Sequence, residues 1–196
     1  MHPDDDGSAL WDAEAAAFDE PADHGLRDPR VRDAWRALLL GLLPPAPATV
    51  ADLGCGTGTL SLLLAQDGFL VEAVDFSPRM VELARGKTAG VPGVRVRQAD
   101  AAHPPLEAGS CDVVLCRHVL WALPDPALVL ERWTRLLTPD GRLVLVEGHW
   151  SNGAGLTAEQ TVDLVAATGR TATVTQLREA VYWGREITDE RYVVTG

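Results

Sequence analysis

Residues 49–67 constrain the fold more than any other stretch. They read as a short apolar strand near 49–53, a turn through Gly54-Cys55-Gly56-Thr57-Gly58, and an apolar helix near 58–67. Such a turn leaves bare backbone N–H groups at a helix N-terminus, where a ligand can lie against them. Strand-like and helical patterns then keep alternating. Strands are expected near 70–75, 94–98, 111–116 and 141–147, with helices near 78–86 and 126–137. Alternation of this kind specifies an α/β protein with a parallel sheet covered on both faces. Upstream, Asp28-Pro29 reads as a cap and first turn for a helix that Pro44-Pro45 ends. After the fifth strand comes a helix near 158–168, followed by two strand-like runs, 171–177 and 191–195. The turn-rich Tyr182-Trp183-Gly184-Arg185 joins them, too short for a crossover helix, so an antiparallel hairpin is expected.

At 196 residues the chain suits one domain with a single sizeable core. Residues 1–28 hold nine acidic side chains against one arginine, so −8 of the net −11 lies there. Such a segment is expected to be solvated, and the acidic balance disfavours nucleic acid as a partner. The chain has no apolar stretch of membrane-spanning length, and its start is unlike a secretory signal, which suggests a cytoplasmic protein. Cys55, Cys111 and Cys116 are odd in number and read as small core residues, with no disulfide framework and no metal site.

Asp52 decides which ligand the turn suits. A dinucleotide site presents G-x-G-x-x-G to a pyrophosphate, whereas this chain has G-x-G-x-G behind a carboxylate, which suits a cationic amine. Asp75 and Asp100 end the second and third expected strands, so three successive strand ends carry an aspartate. This set resembles the class I S-adenosylmethionine (SAM)-dependent methyltransferases of the small-molecule, type 11-like kind. The resemblance implies a doubly wound Rossmann-like sheet of seven strands, mostly parallel with a C-terminal antiparallel hairpin. It also implies that Asp52, Gly54, Cys55, Gly56 and Gly58 hold the amino-acid tail of SAM. Asp75 would accept the ribose hydroxyls, or else cap the helix that starts at Ser77-Pro78. Asp100 and Ala101 would meet the adenine, and Phe76 and Met80 would either lie against it or belong to the core. Trp11-Asp12 and Phe18-Asp19 look like the family's aromatic-Asp opening, a helix lying over the cofactor. The chain would then divide into a helical lid (1–43), a SAM-binding core (49–147) and a C-terminal helix and hairpin (148–196).

Candidates for the chemistry lie at the later strand ends. Arg117 could reach the SAM carboxylate or a substrate acid, and His118 could take a proton, since imidazole titrates near neutral pH. His24 is a second candidate base, or a solvated loop histidine. Trp121, Glu147, His149 and Trp150 would rim the acceptor side. Tyr182-Trp183-Gly184-Arg185 is expected as an exposed turn that meets a substrate or a second subunit. Five of the six tryptophans (Trp11, Trp35, Trp121, Trp150 and Trp183) fall outside the expected strands, which favours an aromatic or hydrophobic acceptor. The reading is methyl transfer to a hydroxyl, carboxyl or amine of a small molecule, in secondary metabolism, by a chain that could act as a homodimer. The competing reading is a SAM-binding sensor or partner subunit without transferase activity.

Overall fold

The computed structural model describes residues 5–196, with side chains placed from Gly7 onward. Residues 1–4, and the Asp5 and Asp6 side chains, lie outside the described residues. In the rest of the acidic stretch 1–28 the expectation of a solvated segment is corrected, because Asp12 bonds to Ser77 and Asp19 to Thr57 and Lys87. Three helices come first: α1 (Asp5–Glu14), the single turn α2 (Ala22–Gly25) and α3 (Pro29–Leu42). Asp28 caps α3 by accepting the Arg30 N–H, with Pro29 opening the helix, as the sequence predicts.

The alternating region follows as β1 (Thr49–Leu53), α4 (Thr59–Gln66), β2 (Leu70–Asp75), α5 (Pro78–Lys87), β3 (Val94–Gln98), β4 (Cys111–Arg117), α6 (Pro126–Leu136) and β5 (Leu137–His149). The chain closes with α7 (Ala158–Ala167), β6 (Thr173–Gln176), α8 (Ala180–Trp183) and β7 (Glu190–Thr195). Strand β5 starts four residues earlier than its apolar pattern suggests, because Leu137 already pairs with Cys111 before a register shift at Val113.

The seven strands form one sheet in the order β3-β2-β1-β4-β5-β7-β6. All pairs from β3 to β5 are parallel, while β7 runs antiparallel to both β5 and β6. The expected hairpin is present, with β7 inserted between its partner and the rest of the sheet. The strand order reverses direction on either side of β1, so the ends of β1 and β4 open the crevice where such sheets bind ligands.

Period-two alternation divides the core between the faces. Val50, Val113, Leu115, Val144 and Val146 pack with Trp35, Leu39 and Trp183 on one side. Ala51, Leu53, Val114, Cys116 and Leu145 pack with Leu130, Trp133 and Tyr192 on the other. Trp35 and Trp183 are thus core residues, a correction to the view that tryptophans outside strands mark a substrate site. The 182–185 segment is corrected in part: Tyr182 and Trp183 belong to α8, Trp183 is 4% exposed and the Trp35 indole N–H donates to the Tyr182 carbonyl at 2.7 Å, while Gly184 and Arg185 stay exposed. The three cysteines are free thiols, Cys111 and Cys116 buried. Among the described residues no helix is long and apolar enough to cross a membrane, and no group of His, Cys, Asp and Glu could hold a metal ion.

Candidate active site

The turn after β1 depends on glycine at three points. Gly54, Gly56 and Gly58 have φ of 76°, 54° and 77°, a region that side chains other than glycine rarely adopt. The Gly54 and Cys55 N–H groups both donate to the Val74 carbonyl, at 2.8 and 3.0 Å, which ties the turn to β2. A Cβ on Gly54 would stand 2.3 Å from Val119 Cγ2, and one on Gly58 would stand 3.0 Å from Ala84 Cβ. Those two glycines serve close packing. Gly56 is close-packed as well: a Cβ there would stand 3.0 Å from the Phe18 ring, so the bare turn is what lets the N-terminal segment lie directly on it.

The three aspartates do different work. Asp52 is 2% exposed and accepts the Ser61 hydroxyl at 2.5 Å, locking α4 onto β1. Burial pushes its carboxyl up to about 6, against the pull of Ser61 and Arg117. It braces the turn, where an open face toward a cationic amine was expected. Asp75 accepts the Gly56 N–H at 2.8 Å and the Ser77 N–H at 2.9 Å, so it joins the glycine turn to the residue before α5 and is not itself the helix cap expected as its alternative. Ser77 itself caps α5 through the Met80 N–H. Each Asp75 oxygen keeps a further lone pair for a ribose hydroxyl. Asp100 is exposed and accepts the Ala102 N–H, while the carbonyl of buried Ala101 accepts the Trp133 indole N–H at 2.8 Å. Met80 is 1% exposed and belongs to the core; Phe76 lies against Gly7 of α1.

The N-terminal segment bonds to the turns after β1 and β2. Asp12 accepts the Ser77 hydroxyl and the Arg79 N–H. Asp19 accepts the Thr57 hydroxyl at 2.5 Å and pairs with Lys87 at 2.7 Å. Burial raises the Asp19 carboxyl, but bonds from Lys87 and Thr57 outweigh it and leave the pKa lowered. Trp11 meets Phe18 edge-on at 6.3 Å, and His24 stacks on Phe18 at 4.6 Å. His24 is therefore not a solvated loop residue. Burial and the nearby Arg117 lower its pKa. Arg117, expected at a ligand carboxylate, donates instead to the Asp23 carbonyl at 2.6 Å and lies 5.2 Å over the Trp35 ring. Phe18, Asp19, Asp23 and Lys87 were missed as a unit, because they are distant in sequence and share no motif.

At the end of β4, His118 has φ 59°, a strained conformation of the sort that collects at functional sites. Its ring stacks on Trp183 at 6.0 Å and meets Trp150 edge-on at 5.3 Å. Trp121 lies 5.3 Å from Trp150 and donates its indole N–H to the His118 carbonyl. Arg191, which has no sequence signal, sits over Trp150 at 4.7 Å and over Trp183 at 5.5 Å. Burial, with Arg117 and Arg191 nearby, holds His118 well below the usual imidazole range, so it is neutral at pH 7. His118 Nε2 is buried without a hydrogen-bond partner. Half-buried His149 bridges to Gly155 through its backbone. Glu147 is corrected outright: it is fully buried and cannot rim a pocket.

Burial pushes Glu147 up to about 7, above the ~4.3 of a free glutamate. Its protonated form is favoured by folding, so its contribution is fully present below about pH 4.3 and lost as pH rises through about 7. The depressed histidines act in the opposite sense, so the difference from Glu147→Gln isolates the effect. Across that window, calorimetry should show the wild-type melting temperature falling relative to Glu147→Gln; a constant difference would contradict the assignment.

A seven-stranded sheet with this order, a glycine turn at its switch point and carboxylates at three strand ends define the class I methyltransferase architecture. Residues 51–145 match the family model described as a methyltransferase domain. The chain belongs to the class I SAM-dependent methyltransferases. It is 35% identical over 141 residues to the demethylmenaquinone methyltransferase of Clavibacter sepedonicus, covering 71% of this chain and 57% of that protein. It is 39% identical over 106 residues to the ubiquinone biosynthesis O-methyltransferase of Xanthomonas axonopodis pv. citri, covering 53% and 44%. Among the curated relatives it matches first, the chain spans between 36% and 57% of their length. The complex of the Haloferax volcanii Trm112 methyltransferase activator with a methyltransferase shares the fold, with TM-score 0.73, 20% identity, and 100% and 98% of the two chains covered.

Proposed function

We propose that the chain transfers the methyl group of SAM to a hydroxyl of a small planar acceptor of the phenol or quinol class. The observation that carries this reading is His118: a neutral imidazole with a free, buried Nε2, seated on the core residue Trp183 and flanked by Trp150 and Trp121. Two relatives whose names refer to demethylmenaquinone and ubiquinone biosynthesis support the acceptor class.

When bound, SAM supplies an electrophilic methyl group on a cationic sulfur. The glycine turn and Asp75 would hold it, with Asp100 at the adenine end, and residues 5–26 would form its lid. Indole faces suit a flat ring. The Arg117 and Arg191 guanidiniums favour the acceptor's anionic form. The same charges keep His118 unprotonated and weaken it as a base, so it takes the hydroxyl proton only because the acceptor's own pKa is lowered beside them.

A radiolabelled-SAM screen over phenols, quinols, carboxylic acids and amines tests the proposal. Label should pass to a phenol or quinol. His118→Ala should then lower kcat by about 100-fold or more while the Kd for SAM stays within about threefold. Tight SAM binding with no transfer to any phenol or quinol would overturn it. Label on amines alone would move the chain to another acceptor class.

A further inference from the structure

We infer that Glu147 is a positioning residue for methyl transfer: its carboxyl group holds the loop after β4 so that His118 faces the acceptor while Val119 stays against the glycine turn. The inference rests on the reading of His118 as the acceptor-side base.

Glu147 follows the apolar run Leu143–Val146 and is fully buried. A buried carboxyl group is costly unless hydrogen-bonded, and this one is bonded to the end of β4 and the loop that follows it. Its Oε1 accepts the N–H of Val119 at 3.1 Å and of Leu120 at 2.9 Å, with Cys116 Sγ at 3.5 Å. Oε2 has no partner. Leu120–Ala122 is one turn of 3-10 helix, and the first N–H groups of such a turn need outside acceptors. One residue earlier, the His118 N–H donates to the Val146 carbonyl at 2.8 Å. The end of β5 therefore grips the loop at His118, Val119 and Leu120 in succession.

That grip explains how His118 is held at φ 59°, a conformation unfavourable for a residue with a side chain. It also keeps the Val119 methyls on the Gly54 face, where a Cβ would stand 2.3 Å away. One buried carboxyl group thus fixes the acceptor-side imidazole and the cofactor turn relative to each other. Methyl transfer needs that alignment, and a displacement of about 1 Å can cost about 100-fold in rate.

Two substitutions separate reach from charge. Glu147→Gln keeps the acceptor oxygen in place without the charge, and Glu147→Asp keeps the charge but falls one methylene short. The readouts are the Trp121 indole N–H resonance, which reports on the His118 carbonyl and is assigned with Trp121→Phe, and kcat with the acceptor found in the screen. Glu147→Gln should leave the resonance in place and keep at least about a third of kcat. Glu147→Asp should shift the resonance and lower kcat about tenfold or more, with a smaller change in the Kd for SAM. If Glu147→Asp matches the wild type in resonance and kcat, or if Glu147→Gln fails as badly as Glu147→Asp, the inference is overturned. Should the wild type bind SAM and methylate nothing, the proposed function falls, and the indole resonance of Glu147→Asp still decides whether the carboxyl group holds the loop.

Discussion

Gly54→Ala should weaken SAM binding about a hundredfold. The new Cβ would stand 2.3 Å from Val119 Cγ2 on a backbone at φ +76°. The left-handed conformation costs about 1–2 kcal/mol, and the forced displacement of a packed side chain costs about 1–3 kcal/mol more. The chain can relieve this only by moving the turn or the loop that carries His118. At roughly 1.4 kcal/mol per factor of ten, a shift worth about 3 kcal/mol corresponds to the stated loss. Gly90→Ala is the control: its φ is +77°, and nothing lies within 4 Å of the added Cβ. It should carry the conformational cost alone and bind SAM normally. Calorimetric titration distinguishes the two, and equal affinities would show that the contact with Val119 is not what the turn requires.

Trp35→Ala should produce the largest loss of stability, about 3–5 kcal/mol. Trp35 has no exposed surface, meets Trp183 edge-on at 5.7 Å, bonds to the Tyr182 carbonyl and supports Arg117. Its removal opens a cavity and leaves a buried guanidinium without its aromatic face. For a chain of this size each kcal/mol lowers the melting temperature by about 2–4 °C, so a drop of about 10 °C is expected. Leu40→Ala on the same helix, at a side chain 38% exposed, should cost under about 1 kcal/mol. A Trp35→Ala melting curve no lower than that of Leu40→Ala would refute the assignment of Trp35 as the post between α3 and α8.

The parts of the site that were legible in the sequence are those written locally. The glycine turn is legible because three positive-φ positions within five residues demand glycine. The aspartates at the ends of β1, β2 and β3 are legible because strand periodicity places the ends, and Asp28-Pro29 because capping is a matter of adjacent residues. Side-chain direction was less accessible. Asp52 and Glu147 carry the residue type of ligand contacts, yet both turn inward, to Ser61 and to the N–H groups of Val119 and Leu120. Spacing along one strand does not reveal which loop will supply those donors.

By itself, then, the sequence determined the alternating architecture, the turn at residues 54–58 and the carboxylates around it. These depend on hydrogen bonds and backbone angles spanning a few residues. Only the tertiary structure decided that β7 inserts beside β5, that Phe18, Asp19 and Lys87 close over the glycine turn, and that His118 meets Trp150, Trp183 and Arg191. Those encounters join residues tens of positions apart. They are selected by the packing of two core faces and the cost of leaving a buried charge or donor unpaired, which no local pattern records.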